Sequence, residues 1–279
     1  MNIKNDEIEL ACNVYGAGAT TLLFVHGSNI DQSYFSSQVD YFKSSYRVVT
    51  FDLPGHGKSG NQRAIWSLEN YAGDVRAVVE KLNLQRVILI GHSMGAYVNL
   101  IAATTNEKSV IGFIGIDIMK NAGAALPEDI KNSTMENLKT DYKGTNEMYV
   151  RKALASPETS PGILNRVVSD YRNSYEPMGI QIMPQILNFG ELDKERLPKL
   201  NLRLYLINVR YIPTDTSLLE KYVGKEYELL EIDGTSHFPM LERPRELNES
   251  LAAVIKKIEH AETVSNRTRL ESDQTGRPS

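Results

Sequence analysis

Residues 86–100 read RVILIGHSMGAYVNL, and the architecture follows from this segment. VILI is a short, continuously apolar run, the pattern of a strand buried on both faces of a parallel sheet. It leads without a spacer into Gly91-His92-Ser93-Met94-Gly95, and the small and apolar residues beyond Gly95 fit a helix. A G-x-S-x-G segment held between a buried strand and a helix makes a sharp turn that lifts the serine hydroxyl clear of the backbone. Side chains at positions 91 and 95 would collide with the neighbouring strand and helix, so glycine is required at both. So short a pattern carries little weight alone; its strand-turn-helix setting makes Ser93 a candidate nucleophile.

Around this segment, from residue 8 to 117, the strand-like runs IELACNVYG, TTLLFVHG, YRVVTFDL, RVILIGHS and VIGFIGID alternate with helical patterns in SYFSSQVDYFKSS, LENYAGDVRAVVEKLN and GAYVNLIAATT. That alternation predicts an α/β fold, a mostly parallel sheet flanked by helices. The strands NLRLYLINV and EYELLEID and the helix RELNESLAAVIKKIEH complete it after residue 201. Between them, residues 119–200 hold no clear strand, several Pro and Gly breaks, and helical patterns such as PEDIKNSTMENLKTDY and TNEMYVRKALA. The expected organisation is a core of residues 1–118 and 201–260, an inserted helical cap over 119–200, and a polar tail, 261–279, too poor in apolar residues to order itself.

Composition narrows the function. The chain has 279 residues, 41% of them hydrophobic and 24% charged, ample for a large core. A net charge of −4 supplies no basic stripe, which argues against nucleic acid or an anionic membrane surface and for a small neutral or weakly polar ligand. The single cysteine, Cys12, forms no intrachain disulfide and no Cys/His zinc cluster, so no metal is expected. The N-terminus lacks a signal-like basic start and apolar core, and no run approaches the roughly 18 apolar residues of a membrane span, so a soluble cytoplasmic protein is expected. The GKS of GHGKSG is not a phosphate-binding loop, because its first required glycine would fall on Asp52.

A serine nucleophile needs a base. Of five histidines, His26 lies in an HG turn, His56 in a PGHG turn, His92 in the serine turn and His260 at the end of a polar helix. His237 follows the last strand, on a loop at the carboxyl edge of the sheet, and an imidazole there can take and return a proton near neutral pH. A carboxylate must then hold that ring in the right tautomer. Asp117 ends the strand VIGFIGI, and parallel strands joined by a helix finish at one edge, so Asp117 and Ser93 share the edge with His237. Asp215 is the alternative, although it precedes SLLEKYV with a Ser217-x-x-Glu220 pattern and has a ready reading as a helix-start residue. Asp117 has a plainer reading too, as a cap for the first helix of the insertion. Asp233, four residues before His237, reads as turn chemistry.

These motifs together resemble the α/β-hydrolase family over nearly all of residues 8–258, with the cap the weakest part. LLFVHGS at 22–28 looks like the family's HG turn, which implies that the backbone N–H of Ser28 joins that of Met94 to bind an oxyanion. FDLPGHGKSG at 51–60 resembles its D-x-P-G-x-G-x-S segment, and DGTSHFPMLERP at 233–244 the segment of its catalytic histidine. The usual acid turn, G-x-x-D-x-x-x-P, is replaced by Val209-Arg210-Tyr211-Ile212-Pro213-Thr214-Asp215, with Ile212 where the aspartate belongs. Some members carry a GID acid after the preceding strand together with INS-x-x-YPT; GID and LINVRYIPT are similar in outline, which points to Asp117.

The resemblance implies a serine hydrolase that cleaves a small carboxylic ester through an acyl-serine intermediate, with no cofactor. Hydrolysis of C–C or amide bonds, or acyl transfer, would use the same parts, and a ligand receptor or signalling protein of low turnover is a further alternative. Ser93 argues against dehalogenase or epoxide hydrolase chemistry, where a carboxylate would stand in its place. Tyr142, Tyr149, Tyr171, Tyr175 and Met183, with Met178 and Phe189, are candidate substrate contacts in the cap, against a plainer reading as cap core.

Overall fold

The computed structural model describes residues 1–5, 7–105 and 108–275. Its strands are β1 (Asn2–Asn5), β2 (Ile8–Tyr15), β3 (Thr21–Val25), β4 (Arg47–Phe51), β5 (Val87–His92), β6 (Val110–Ile116), β7 (Leu204–Val209) and β8 (Tyr227–Ile232). The α-helices are α1 (Ser36–Phe42), α2 (Leu68–Lys81), α3 (Met94–Ala103), α4 (Glu128–Thr140), α5 (Tyr142–Tyr149), α6 (Pro161–Arg172), α7 (Glu176–Ile186), α8 (Phe189–Arg196), α9 (Thr216–Val223), α10 (Pro239–Glu242) and α11 (Pro244–Thr275). The sheet order is β1-β2-β4-β3-β5-β6-β7-β8. β1 and β2 pair antiparallel with each other, as do β2 and β4, and every later pairing is parallel.

The central strands carry no polar alternation because both faces are covered, yet alternate residues still serve different cores. Leu22, Phe24, Ile88, Ile90, Ile114 and Ile116 pack on the face that receives α1 and α11, while Leu23, Val25, Val87 and Leu89 pack on the face that receives α2 and α3. Each such side chain contributes about 1.5–3 kcal/mol by leaving water. A one-residue slip of any central strand would exchange the two sets, so the helices on both sides fix the register.

Two differences from the sequence reading stand out. β1 was not expected: its four residues, NIKN, hold one apolar side chain, Ile3, and form a strand because they pair with β2 across the sheet edge. The tail read as disordered is helical through Thr275, an unbroken continuation of α11, while residues 276–279 lie outside the described residues. The first part of α11 is anchored by Leu247, Leu251, Val254, Ile255 and Ile258. Adding residues to a helix already nucleated costs far less than starting one, so polar sequence without Pro or Gly can extend it. No described helix is long and apolar enough to cross a membrane.

Candidate functional site

The register builds the site. Val25 of β3 stands opposite Gly91 of β5, His92 opposite Ile116 of β6, Ile116 opposite Ile207 of β7, and Val209 opposite Ile232 of β8. Parallel strands therefore end together, and the residues just beyond them, Ser28, Ser93 and Asp117, with the loop of His237, gather at one carboxyl edge.

Ser93 adopts φ 51°, ψ −125° between β5 and α3, a conformation L residues rarely take and that persists only where surroundings enforce it. Packing supplies the enforcement. A Cβ at Gly91 would lie 2.4 Å from Ala96 Cα, and one at Gly95 2.3 Å from the carbonyl oxygens of Val25 and His26. The Ser93 N–H donates to the Ile116 carbonyl at 3.1 Å, which seats the turn on β6. A Cβ at Gly27 would fall 3.2 Å from Ser93 Cβ, so the HG turn lies directly against the serine. Neither the Ser28 nor the Met94 backbone N–H donates to a main-chain carbonyl in the loops and turns among the described residues.

His237 Nδ1 lies 2.6 Å from Asp117 Oδ2. A carboxylate only accepts, so the ring carries its proton on Nδ1 and presents the Nε2 lone pair. The other carboxylate oxygen, Oδ1, accepts from the Val209 N–H at 3.1 Å and from Lys120 Nζ at 2.7 Å. Burial alone would push the Asp117 carboxyl up, but the His237 ring and the Lys120 ammonium outweigh it and hold it at about 2. Asp117 itself sits at φ 51°, with its N–H on the Ile207 carbonyl. It caps no helix, since α4 begins only at Glu128.

Three other histidines are structural, as their tautomers show. His92 Nε2 donates to the His237 carbonyl at 2.7 Å and its ring packs 4.6 Å from that of His237; burial drives its pKa down to about 3. His26 donates from Nδ1 to the Gly27 carbonyl and accepts the Leu53 N–H on Nε2. His56 donates from Nδ1 to the Pro54 carbonyl and is pushed down to about 3 by burial. These rings stay neutral and brace the turns around Ser93. His260 is exposed on α11.

The remaining candidates separate. Asp215 is the N-cap of α9: its Oδ1 accepts from the N–H and hydroxyl of Ser217 at 3.0 and 2.6 Å, and among the described residues it meets no histidine. Asp233 is exposed and pairs with Arg210. In the cap, Tyr171 reaches the site, with its hydroxyl 3.5 Å from Ser28 Oγ and Tyr149 beside it at 6.3 Å between rings. Tyr175 packs on Trp66 and lines a polar cavity of about 580 Å³ that begins at Asn29, next to Ser28. Tyr142 and Met183 do not reach the serine: they bury each other with Leu138 inside the cap, because the apolar faces of α4, α5 and α7 need a core of their own. Met178 packs with Trp66 in the α2 core, and Phe189 stacks on Tyr97 at 3.7 Å.

Two further residues belong to this edge of the sheet. Lys120 would have been found from the GIDxxK spacing had the acid been fixed at Asp117. Glu242, in SHFPMLE, accepts from Thr235 Oγ1 at 2.7 Å, Ser236 Oγ at 2.8 Å and Thr159 Oγ1 at 2.8 Å, and also from the Ser236 N–H. It ties the His237 loop to the cap. No cluster of metal-ligating side chains occurs among the described residues.

A mostly parallel eight-stranded sheet, a serine on a strained strand-to-helix turn and a His–Asp pair at the same edge define the class of α/β hydrolases. The chain belongs to the alpha/beta hydrolase family, whose sequence model matches residues 22–250. It is similar to the hydrolase YugF of Bacillus subtilis, itself uncharacterized, at 24% identity over 86% of this chain and 91% of that one. A segment of 80 residues, 29% of this chain, is 38% identical to the dihydrolipoyllysine-residue acetyltransferase component of the acetoin cleaving system of Cupriavidus necator, and spans only 21% of that protein. Among solved structures, a thermophilic esterase from Thermogutta terrifontis superposes with a TM-score of 0.78 at 18% identity, covering 92% of this chain and 98% of that one.

Proposed function

We propose that this protein is a serine hydrolase of small carboxylic esters, with Ser93 as nucleophile, His237 as base and Asp117 as acid. The observation that carries the reading is the 2.6 Å contact between His237 Nδ1 and Asp117, made at the sheet edge where the Ser93 turn also emerges. His237 Nε2 takes the Ser93 hydroxyl proton as Oγ attacks the acyl carbon. The oxyanion accepts from the Ser28 and Met94 N–H groups, each such donor being worth about 3 kcal/mol. The alcohol departs with the proton from His237, and water, activated by the same ring, releases the acid. Residues 119–200 act as the cap over this site, with Tyr171 at the Ser28 hydroxyl, Tyr149 beside that ring, and the cavity at Asn29 and Tyr175 adjoining.

Chromogenic esters of increasing acyl length, assayed beside Ser93→Ala, test the proposal. Fast release that the alanine variant loses supports it, as does a covalent adduct on Ser93 from a serine-directed phosphonate. No release from any ester, with tight binding of a small molecule, would replace it with the receptor reading; transfer of the acyl group to an added thiol or alcohol in preference to water would replace it with an acyltransferase.

A further inference from the structure

Lys120 reaches back from the loop after β6 to the acid of its own strand end. Its ammonium has three donors, and three acceptors take them: Asp117 Oδ1 at 2.7 Å, the Ile212 carbonyl at 2.7 Å and the Val209 carbonyl. The side chain is only 14% exposed, so these contacts are made largely out of water, where they count for more than at a surface. The loop around it is equally fixed. Asp117 and Met119 both have positive φ, the Asp215 N–H donates to the Lys120 carbonyl at 2.7 Å, and Asn208 clamps Ile118 through both its N–H and its carbonyl.

The two carboxylate oxygens of Asp117 are thereby divided. Oδ1 belongs to Lys120 and the Val209 N–H, and Oδ2 to His237. The charged and titratable groups around the pair are few. Lys120 is on the far oxygen, the neutral His92 ring lies against His237, and the Glu242 carboxylate of α10 is held by the hydroxyls of Thr235 and Ser236 on the His237 loop. Arg210, on the loop after β7, turns outward to Glu231 and Asp233, and Asp215 turns away to cap α9. A cation this close to the acid both orders the carboxylate and opposes a second positive charge on the imidazole one bond network away.

We propose that Lys120 is a positioning residue that fixes Asp117 on the β7–α9 loop, offers only Oδ2 to His237, and sets the acid limb of the activity at lower pH than the Asp–His pair alone would give. This rests on the triad reading above. It also gives the loop after β7, which has Ile212 at the usual acid position, a part in the site: its carbonyls hold the lysine that holds the acid.

The test compares the whole chain with Lys120→Met, Lys120→Gln and Lys120→Arg, following kcat/KM for an ester from about pH 4 to pH 9 and the titration of the His237 ring by NMR. Removing the charge in Lys120→Met should move the acid limb and the ring's titration midpoint up by about one pH unit. Lys120→Arg, which keeps the charge, should leave both where they are in the parent. If Lys120→Met does not fold, Lys120→Gln, neutral but still a donor, carries the same expectation. An acid limb and a ring midpoint that stay in place in the neutral variants overturn the proposal, even if those variants lose stability or turn over more slowly. If the parent shows no Ser93-dependent turnover, the hydrolase reading falls by itself, and the NMR midpoint still decides the role of Lys120.

Discussion

The His237 N–H donates to the Leu154 carbonyl at 3.1 Å, so the loop that carries the imidazole hangs from the backbone of the inserted helices. Leu154 ends a wide helical turn, Val150–Leu154, closed by the Ala155 N–H on the Val150 carbonyl. Turns of this kind recur at functional sites because they free a carbonyl for another partner. The inserted helices are therefore tied by the main chain to the residue whose ring the proposed chemistry needs.

Asp117→Asn is expected to lower kcat by about 10³ to 10⁴, because an amide cannot hold the ring in the tautomer that leaves Nε2 free. Asp215→Asn should leave ester turnover within about twofold of the parent and cost at most about 1 kcal/mol of stability through the α9 cap. Steady-state kinetics on both variants decides between the two acids. The Asp117 carboxyl is depressed to about 2, so its contribution to stability is present above about pH 3.8 and is lost as pH falls toward 2. Any acid limb in activity above pH 4 then belongs to another group.

Glu242→Gln should destabilise the protein by about 1–3 kcal/mol, since an amide nitrogen would face donors that now have an acceptor. The accompanying loss in kcat/KM should exceed that of Thr159→Val, which removes the 2.8 Å bond to Glu242 and the Ser156 N–H contact at 3.0 Å but leaves the Thr235 and Ser236 donors on the carboxylate. Thermal unfolding and ester kinetics on the two variants give the comparison, and equal kinetics would show that Glu242 does not orient the His237 loop.

Asp193 of α8 predicts an unusual pH dependence of stability. Burial pushes its carboxyl up to about 6, despite the Gly123 N–H that donates to it at 3.0 Å. Between about pH 3.8 and pH 6 the folded chain thus holds a proton that the unfolded chain has released, and stability falls as pH rises through that window. Asp193→Asn should flatten the fall, by an amount on the order of 2–3 kcal/mol. Denaturant unfolding at about pH 4 and pH 7 measures it.

Glycine positions give a contrast. Gly95→Ala should cost several kcal/mol or prevent folding, because its Cβ would stand 2.3 Å from two backbone oxygens that cannot move apart. Gly162→Ala, in the first turn of α6 with nothing within 4 Å of the added carbon, should be neutral or stabilise by up to about 1 kcal/mol. Thermal melts of the two proteins check both.

Much of this molecule is legible in one dimension because its strands are buried on both faces: VILI, LLFV and GFIGI announce themselves by unbroken apolarity, and the G-x-S-x-G glycines mark where backbone meets backbone. The same logic fails for NIKN, which is a strand only because β2 offers it an edge, and for residues 261–275, which are helical because packed residues before them started the helix. Tyr142 and Tyr171 are alike in sequence context, yet one is buried inside the cap and the other meets Ser28, a difference that only the packing angles of the cap helices produce.

By itself the chain specified the sheet, the serine turn and a histidine after the last strand, since these depend on local patterns of polarity and on glycines at fixed spacing. Only the tertiary structure brought Asp117 rather than Asp215 to the His237 ring, and it alone placed Lys120 and Glu242 behind them. Strand order put Asp117 at the right edge of the sheet and made it the leading candidate, but the contact itself depends on how the His237 loop folds back and on which neighbouring charges offset the burial of the carboxylate, and neither is written in the order of residues.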